Sequence, residues 1–160
     1  MDNHQYLIAL GSNRRARGGV TPAAMISAAM AALVAGGCRI VAMGPTVHSA
    51  PIGPAQRRFA NSAAWIATTL APPALLALAK AVERRLGRRS GQRWGNRSID
   101  IDLILWSGGR WRERRLILPH PRWRERSFVL EPLSAVGADW RDPESGRRVH
   151  HWHAIRNRGR

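Results

Sequence analysis

The order of apolar and helical segments predicts an α+β domain. An antiparallel sheet in the ferredoxin-like β-α-β-β-α-β order carries helices packed on it, with additions at the C-terminal end. Three observations carry this prediction. Two segments of helical periodicity, residues 22–35 and 72–86, each open on proline and close on glycine. Strand-like runs precede, separate and follow them. The length of 160 residues suffices for one domain with a sizeable core.

The elements follow in order. Tyr6 to Leu10 reads as a buried strand. Thr21 then Pro22 is a helix start, an N-cap hydroxyl followed by proline in the first turn. Met25, Ile26, Met30, Leu33 and Val34 recur on one face, and Gly36-Gly37 supplies the stop. Arg39 to His48 alternates loosely and predicts a second strand. Ser49 to Arg58, with Pro51, Gly53 and Pro54, predicts a loop. Phe59 to Thr69 predicts a third strand. Pro72-Pro73 opens a second helix with Leu75, Leu76, Ala79, Val82 and Leu86 on its stripe, ended by Gly87. Arg88 to Asn96 is a basic loop. Ser98 to Trp106 predicts a fourth strand, with Ile99, Ile101, Leu103 and Leu105 on one face and Asp100 and Asp102 on the other. Ser107-Gly108-Gly109 suggests a hairpin turn, and Phe128 to Val136 a short helix. Residues 1–142 are expected to form the domain, and 143–160 a basic tail, in part disordered.

Composition narrows the class. Apolar residues at 44% and charged residues at 22% argue against a disordered or low-complexity chain. No run of about 18 apolar residues is present, so no membrane span is expected. Arg14, Arg15 and Arg17 before the apolar run 20–35 imitate a signal peptide, but the preceding strand and the Thr21-Pro22 cap favour an ordinary helix and a cytoplasmic protein. A single cysteine, Cys38, excludes an internal disulfide framework and a cysteine zinc site. The 26 basic and 10 acidic residues give +16, a field that attracts polyanions such as nucleic acid or ATP. Lys80 is the only lysine, so much of this charge reflects a general bias toward arginine.

Three constellations carry chemistry. In a strand, Asp100 and Asp102 face the same way, about 6.6 Å apart. Two such carboxylates suit Mg²⁺, which takes one or two carboxylates plus substrate phosphates. The bland alternative is a solvated strand face. It is weakened by Arg88, Arg89, Arg93 and Arg97 nearby, since guanidinium forks grip phosphate oxygens. Phe59 and Asn61 lie two apart at a strand start, so a ring and an amide share a face suited to a flat heterocycle. Alone, the pair reads equally as a core ring and a capping amide. His120 and Arg126 could meet a nucleotide, and Phe128 could offer a second ring. A lone histidine between prolines is more often a turn residue. There is no Walker loop at Lys80, no dinucleotide glycine fingerprint and no serine elbow.

Taken together, the motifs resemble one family, the 6-hydroxymethyl-7,8-dihydropterin pyrophosphokinases. The resemblance runs from Tyr6 to about Trp140. It rests on Leu10-Gly11-Ser12-Asn13, Pro51-x-Gly53, Gln56-x-x-Phe59-x-Asn61 and Glu83-x-x-x-Gly87-Arg88. It continues through Arg93-Trp94-Gly95-x-Arg97-x-x-Asp100-x-Asp102, Pro119-His120 and Arg126-x-Phe128-Val129-Leu130. It implies transfer of pyrophosphate from ATP to the pterin hydroxymethyl oxygen, leaving AMP, as a step of folate biosynthesis. By resemblance, Asp100 and Asp102 would hold two Mg²⁺ ions, and Arg88 and Arg97 would act on the phosphates as catalytic residues. Glu83, Trp94, Leu103, Arg115, His120 and Arg126 would contact ATP. Phe59 and Phe128 would sandwich the pterin, with Asn61, Ser49, Ala50, Ile52 and Gly53 reading its edge. Loops 11–20 and 88–95 would close over the phosphates.

The chain departs from the family pattern in places. Asn96 stands where proline is usual before Arg97, Ser49-Ala50 replaces Thr-Pro, and Val47 replaces an aromatic residue. Ile117 replaces a hydroxyl residue, and the arginine loop is one residue shorter, so Arg89 or Ser90 takes the place of its second arginine. The expected partners are ATP and the pterin, with no obligate protein partner, no membrane, and nucleic acid only through non-specific electrostatics. Two alternatives compete: a basic nucleic-acid-binding module and a non-catalytic pterin-binding paralogue. Two carboxylates on the sheet would repel a nucleic-acid backbone, and the retained arginines count against loss of turnover.

Overall fold

The computed structural model describes residues 4–13, 20–49, 59–87 and 99–159. It is a mixed structure of helices on an antiparallel sheet. Strand β1 (His4–Ser12) leads to helix α1 (Pro22–Ala35), then to strands β2 (Cys38–Met43), β3 (Val47–Ser49) and β4 (Phe59–Thr68). Helix α2 (Pro72–Arg85), strand β5 (Asp100–Trp106) and a hairpin of β6 (Trp111–Glu113) and β7 (Leu116–Leu118) follow. Helices α3 (Ser127–Gly137) and α4 (Val149–Arg158) complete the described chain. The sheet runs β2-β4-β1-β5, and β3 also pairs with β4. Among the described residues, no helix is long and apolar enough to cross a membrane.

The helix signals act as their chemistry dictates. Thr21 Oγ1 accepts the Ala24 N–H at 3.1 Å, with Pro22 in the first turn. Gly37 closes α1 at φ 105° and Gly87 lies beyond α2 at φ 121°, a region that favours glycine. Both helices cover one sheet face, where Tyr6, Ile8, Leu10, Ile66, Ile101 and Leu103 meet Ile26, Leu33, Leu75 and Val82. The Tyr6 hydroxyl donates to the Leu70 carbonyl at 2.7 Å, tying β1 to the entry of α2.

The predicted strand from Arg39 to His48 is two strands, with a break at Gly44–Thr46. Pro45 offers no N–H to a ladder. The Ser62 hydroxyl lies 3.1 Å from both the Gly44 and Pro45 carbonyls, and a Cβ on Gly44 would come 3.0 Å from the Ala63 carbonyl oxygen. The expected alternation of β5 also needs correcting. A register shift opposite Leu7 and Ile8 places Leu105 with Ile104 on the second sheet face. Ile101 and Leu103 keep the first face, joined there by Trp106. The turn at Ser107-Gly108-Gly109 leads into β6, which pairs with β7. The hairpin therefore lies over residues 111–118.

The second face holds a second core. Leu7, Ala63, Ile104 and Leu105 pack under Trp123, Val129, Leu130, Leu133 and Val149. Val149 and Trp152 of the predicted basic tail pack in this layer. Asp142 is buried and receives Arg124 Nε at 2.7 Å and Nη2 at 2.6 Å, and α4 packs on α3. Residues 143–159 form a turn and a helix because Val149 and Trp152 have a groove to fill.

Candidate functional site

The second sheet face is only partly covered, and the polar residues lie on the remaining part. The register explains their grouping. Gly11 stands opposite Asn61 on one side and Asp100 on the other. Ala9 likewise stands between Ala63 and Asp102. Directly opposed residues of antiparallel strands project to the same face. Asn61, Asp100 and Asp102 thus share a face, and Phe59, two residues before Asn61, shares it by alternation. Ala9 and Gly11 keep the floor between them low. A Cβ on Gly11 would lie 3.2 Å from Asn61 Oδ1, so glycine leaves that amide its place.

The carboxylates are half-buried. Burial first, then the Asp100 charge, pushes the Asp102 carboxyl up to about 6, with Glu83 adding to the rise. Arg126 and Lys80 pull it down. His120 is lowered by burial and by Arg126, while Asp100 acts to raise it. Arg126, His120, Lys80 and Glu83 therefore share one electrostatic environment with the aspartates. The His120 N–H donates to the Ile104 carbonyl at 2.9 Å, which fastens the segment after the Leu118–Pro119 cis bond to β5. Its Nδ1 accepts the Arg122 N–H at 3.2 Å, so the neutral ring carries its proton on Nε2. The Arg126 guanidinium lies 6.0 Å from the centre of the Phe128 ring. Phe128 at the start of α3 and Phe59 at the start of β4 are 36% and 37% exposed, unusual for large apolar rings and suited to stacking a ligand.

The structure also places the other sequence-predicted residues that it describes. Leu103 is buried in the first core, so its side chain is a packing group. Glu83 is fully buried on α2. Its Oε1 accepts the Ile101 N–H at 2.9 Å and its Oε2 lies 3.3 Å from Lys80 Nζ, which holds it within the fold. Arg115 is exposed in the turn between β6 and β7. Ser49 pairs with Phe59 in the ladder. Arg88, Arg97, Trp94, Ala50, Ile52 and Gly53 lie outside the described residues, as do Arg89, Ser90, Arg93 and Asn96. Lys80 was not singled out as a site residue. Its spacing of three from Glu83 on a helix was the available signal.

The donor set fits magnesium. No group of three or more His, Cys, Asp or Glu side chains among the described residues could hold a metal ion. Asp100 and Asp102 offer hard oxygens only, and an ion held by them keeps positions for phosphate oxygens and water. Burial first and the Asp100 charge second raise Asp102, and a cation between the carboxylates would relieve that repulsion.

The sequence model described as 7,8-dihydro-6-hydroxymethylpterin-pyrophosphokinase (HPPK) matches residues 7–138. A 2-amino-4-hydroxy-6-hydroxymethyldihydropteridine pyrophosphokinase of Synechocystis is 37% identical over 102 residues, which cover 64% of this chain and 52% of that protein. One from Methylorubrum extorquens is 41% identical over 119 residues, covering 73% and 75%. A crystal structure of Plasmodium falciparum HPPK-DHPS superposes with a TM-score of 0.73 at 12% identity, over 95% of this chain and 44% of that one, a likeness of fold.

Proposed function

The chain belongs to the 7,8-dihydro-6-hydroxymethylpterin-pyrophosphokinase family, and from that membership we propose that it transfers the pyrophosphoryl group of ATP to the hydroxymethyl oxygen of 6-hydroxymethyl-7,8-dihydropterin. The products are AMP and the pterin diphosphate, and the step serves folate biosynthesis. The observation that carries the proposal is the row Asn61–Gly11–Asp100, with Asp102 beside it and Arg126 and His120 in the same electrostatic environment. It sets an amide for a heterocycle next to carboxylates for a metal-bound polyphosphate.

In this mechanism Asp100 and Asp102 would hold magnesium, two ions in our reading, each carboxylate having oxygens to share. Bound magnesium would neutralise phosphate charge and align the displacement. The chain's own residues do the rest. Phe59 and Phe128 stack on the two faces of the pterin, and Asn61 reads its edge together with residues 49–53. Arg126 and His120 bind ATP, the first as a fixed cation, the second as a donor from Nε2. Arg115 and Trp94 add to the nucleotide site. Arg88 and Arg97 grip the transferred phosphates and stabilise the charge that develops on them. No covalent intermediate with the chain is needed; positioning and electrostatics suffice.

We also read the fold as ferredoxin-like, a reading supported by the β2-β4-β1-β5 order with both helices on one face. The family match over residues 7–138 supports residues 1–142 as the catalytic unit. Dependence on ATP favours a cytoplasmic setting. The test measures AMP from ATP, Mg²⁺ and the reduced pterin, with Asp100→Ala and Asp102→Ala in parallel. AMP that requires pterin and vanishes in both variants is the expected result. AMP formation that survives in either variant overturns the metal assignment, and folded protein that forms none overturns the activity.

A further inference from the structure

We propose that Glu83 is a positioning residue, which fixes the strand carrying Asp100 and Asp102 by gripping the amide between them; this rests on the reading of those aspartates as metal ligands. Strand β5 is an edge of the sheet, with β1 on one side only. Amides that point away from β1 have no ladder partner there. Glu83, from α2, supplies one. Its Oε1 accepts the Ile101 N–H at 2.9 Å, a charge-assisted bond to a 1%-exposed residue. Ile101 lies between the two aspartates, whose face is given by their pairing with Gly11 and Ala9, so this bond secures the outer side of the strand at the point where both carboxylates project.

The cost of the arrangement argues for a task. Glu83 is 0% exposed, and a buried carboxylate is stabilising only when well partnered. Lys80 Nζ at 3.3 Å from Oε2 supplies a cation. An apolar side chain would fill the same space between α2 and β5 without that desolvation, but would leave the Ile101 N–H to solvent or to fraying. Full burial also argues against the direct nucleotide contact that the family resemblance implies for Glu83. The residue acts through Ile101 instead. Partners that orient metal ligands in this way alter metal affinity by about 10–100-fold when removed.

The experiment titrates Mn²⁺ into the protein with a non-hydrolysable ATP analogue by calorimetry. It also follows hydrogen exchange at the Ile101 amide, and measures binding of the analogue without metal. Wild type, Asp100→Ala, Asp102→Ala, Glu83→Ala and Glu83→Gln are compared. Glu83→Ala is expected to weaken Mn²⁺ binding at least about tenfold and to expose the Ile101 amide, with metal-free analogue binding unchanged. Glu83→Gln keeps an acceptor oxygen and is expected to stay near wild type in both. Should Glu83→Ala not fold, Glu83→Asp carries the same test, because it keeps the charge but withdraws the oxygen by one methylene. The proposal is overturned if the Ile101 amide is exposed while Mn²⁺ binding is unchanged. It is equally overturned if Glu83→Gln is as weak as Glu83→Ala, or if metal-free analogue binding falls instead. Mn²⁺ binding by wild type that ignores Asp100→Ala and Asp102→Ala would sink the metal assignment itself, and the positioning role with it.

Discussion

Asp102 sits at a point where burial and a second carboxylate act together. Its folded-state value of about 6 lies above the ordinary carboxylate range near 3.9. Between these values the folded chain keeps a proton that the unfolded chain gives up. The resulting stability is complete below the ordinary value and is lost as pH rises through about 6. Metal-free Asp102→Asn is therefore expected to melt higher than wild type at pH 8, with the gain fading towards pH 4, as thermal melts across pH would show. The exposed rings behave differently. Phe59→Ala and Phe128→Ala are expected to cost under about 1 kcal/mol of stability, since each ring is more than a third exposed. Each should weaken pterin binding by roughly 10–100-fold through lost stacking, measured by calorimetry. The aspartate pair was legible because spacing of two in a strand is a geometric statement. Full burial of Glu83 was not, because the N–H it accepts belongs to the backbone of an edge strand and leaves no mark on residue type.

Elements were legible where the chain punctuates itself. Thr21-Pro22, Pro72-Pro73, Gly37 and Gly87 bound α1 and α2 almost to the residue. The break between β2 and β3 was hidden, because it depends on the Ser62 hydroxyl reaching carbonyls 17 and 18 residues away. The face change of β5 was hidden too, since a register shift opposite Leu7 alters direction without altering composition. Helix α4 leaves a faint sequence signal because its inward side amounts to little more than Val149 and Trp152. Its packing over Trp123, which is 0% exposed, gives it a structural task. Deleting residues 149–160 is expected to destabilise the protein by on the order of 3 kcal/mol, comparable to truncating a buried aromatic residue. A loose tail would leave the denaturant midpoint unchanged. The Arg124–Asp142 link gives this layer a pH signature. Burial raises Asp142, but hydrogen bonds from Arg124, Ser145 and the Glu144 amide more than offset it and hold the carboxyl below its usual value. Its contribution is present at neutral pH and is lost as pH falls through the carboxylate range.

At the scale of the whole molecule, the excess of 16 positive charges would draw the proposed polyphosphate substrate toward a site that itself carries paired carboxylates. Steering of this kind acts on encounter and is screened by salt. Between roughly 0.01 and 0.15 M ionic strength the screening length contracts from about 30 to 8 Å. Over that range kcat/KM for ATP is expected to fall by about tenfold while kcat stays level, as steady-state rates at constant Mg²⁺ would show. Charge alone left nucleic acid open as a partner; the ordered combination of ring, amide, carboxylates and arginines favoured the pterin kinase, and that ordering was in the sequence. Gly11 extends the same logic across the sheet. It stands midway between Asn61 and Asp100, one strand from each, so the two lie about 10 Å apart, twice the interstrand spacing. That span is set by ladder hydrogen bonds, not by side-chain rotamers. On the proposed reading the site acts as a gauge of fixed length, and a pterin whose hydroxyl arm is one carbon longer is expected to fit the rings but to overshoot the phosphate, as binding and turnover of that analogue would show.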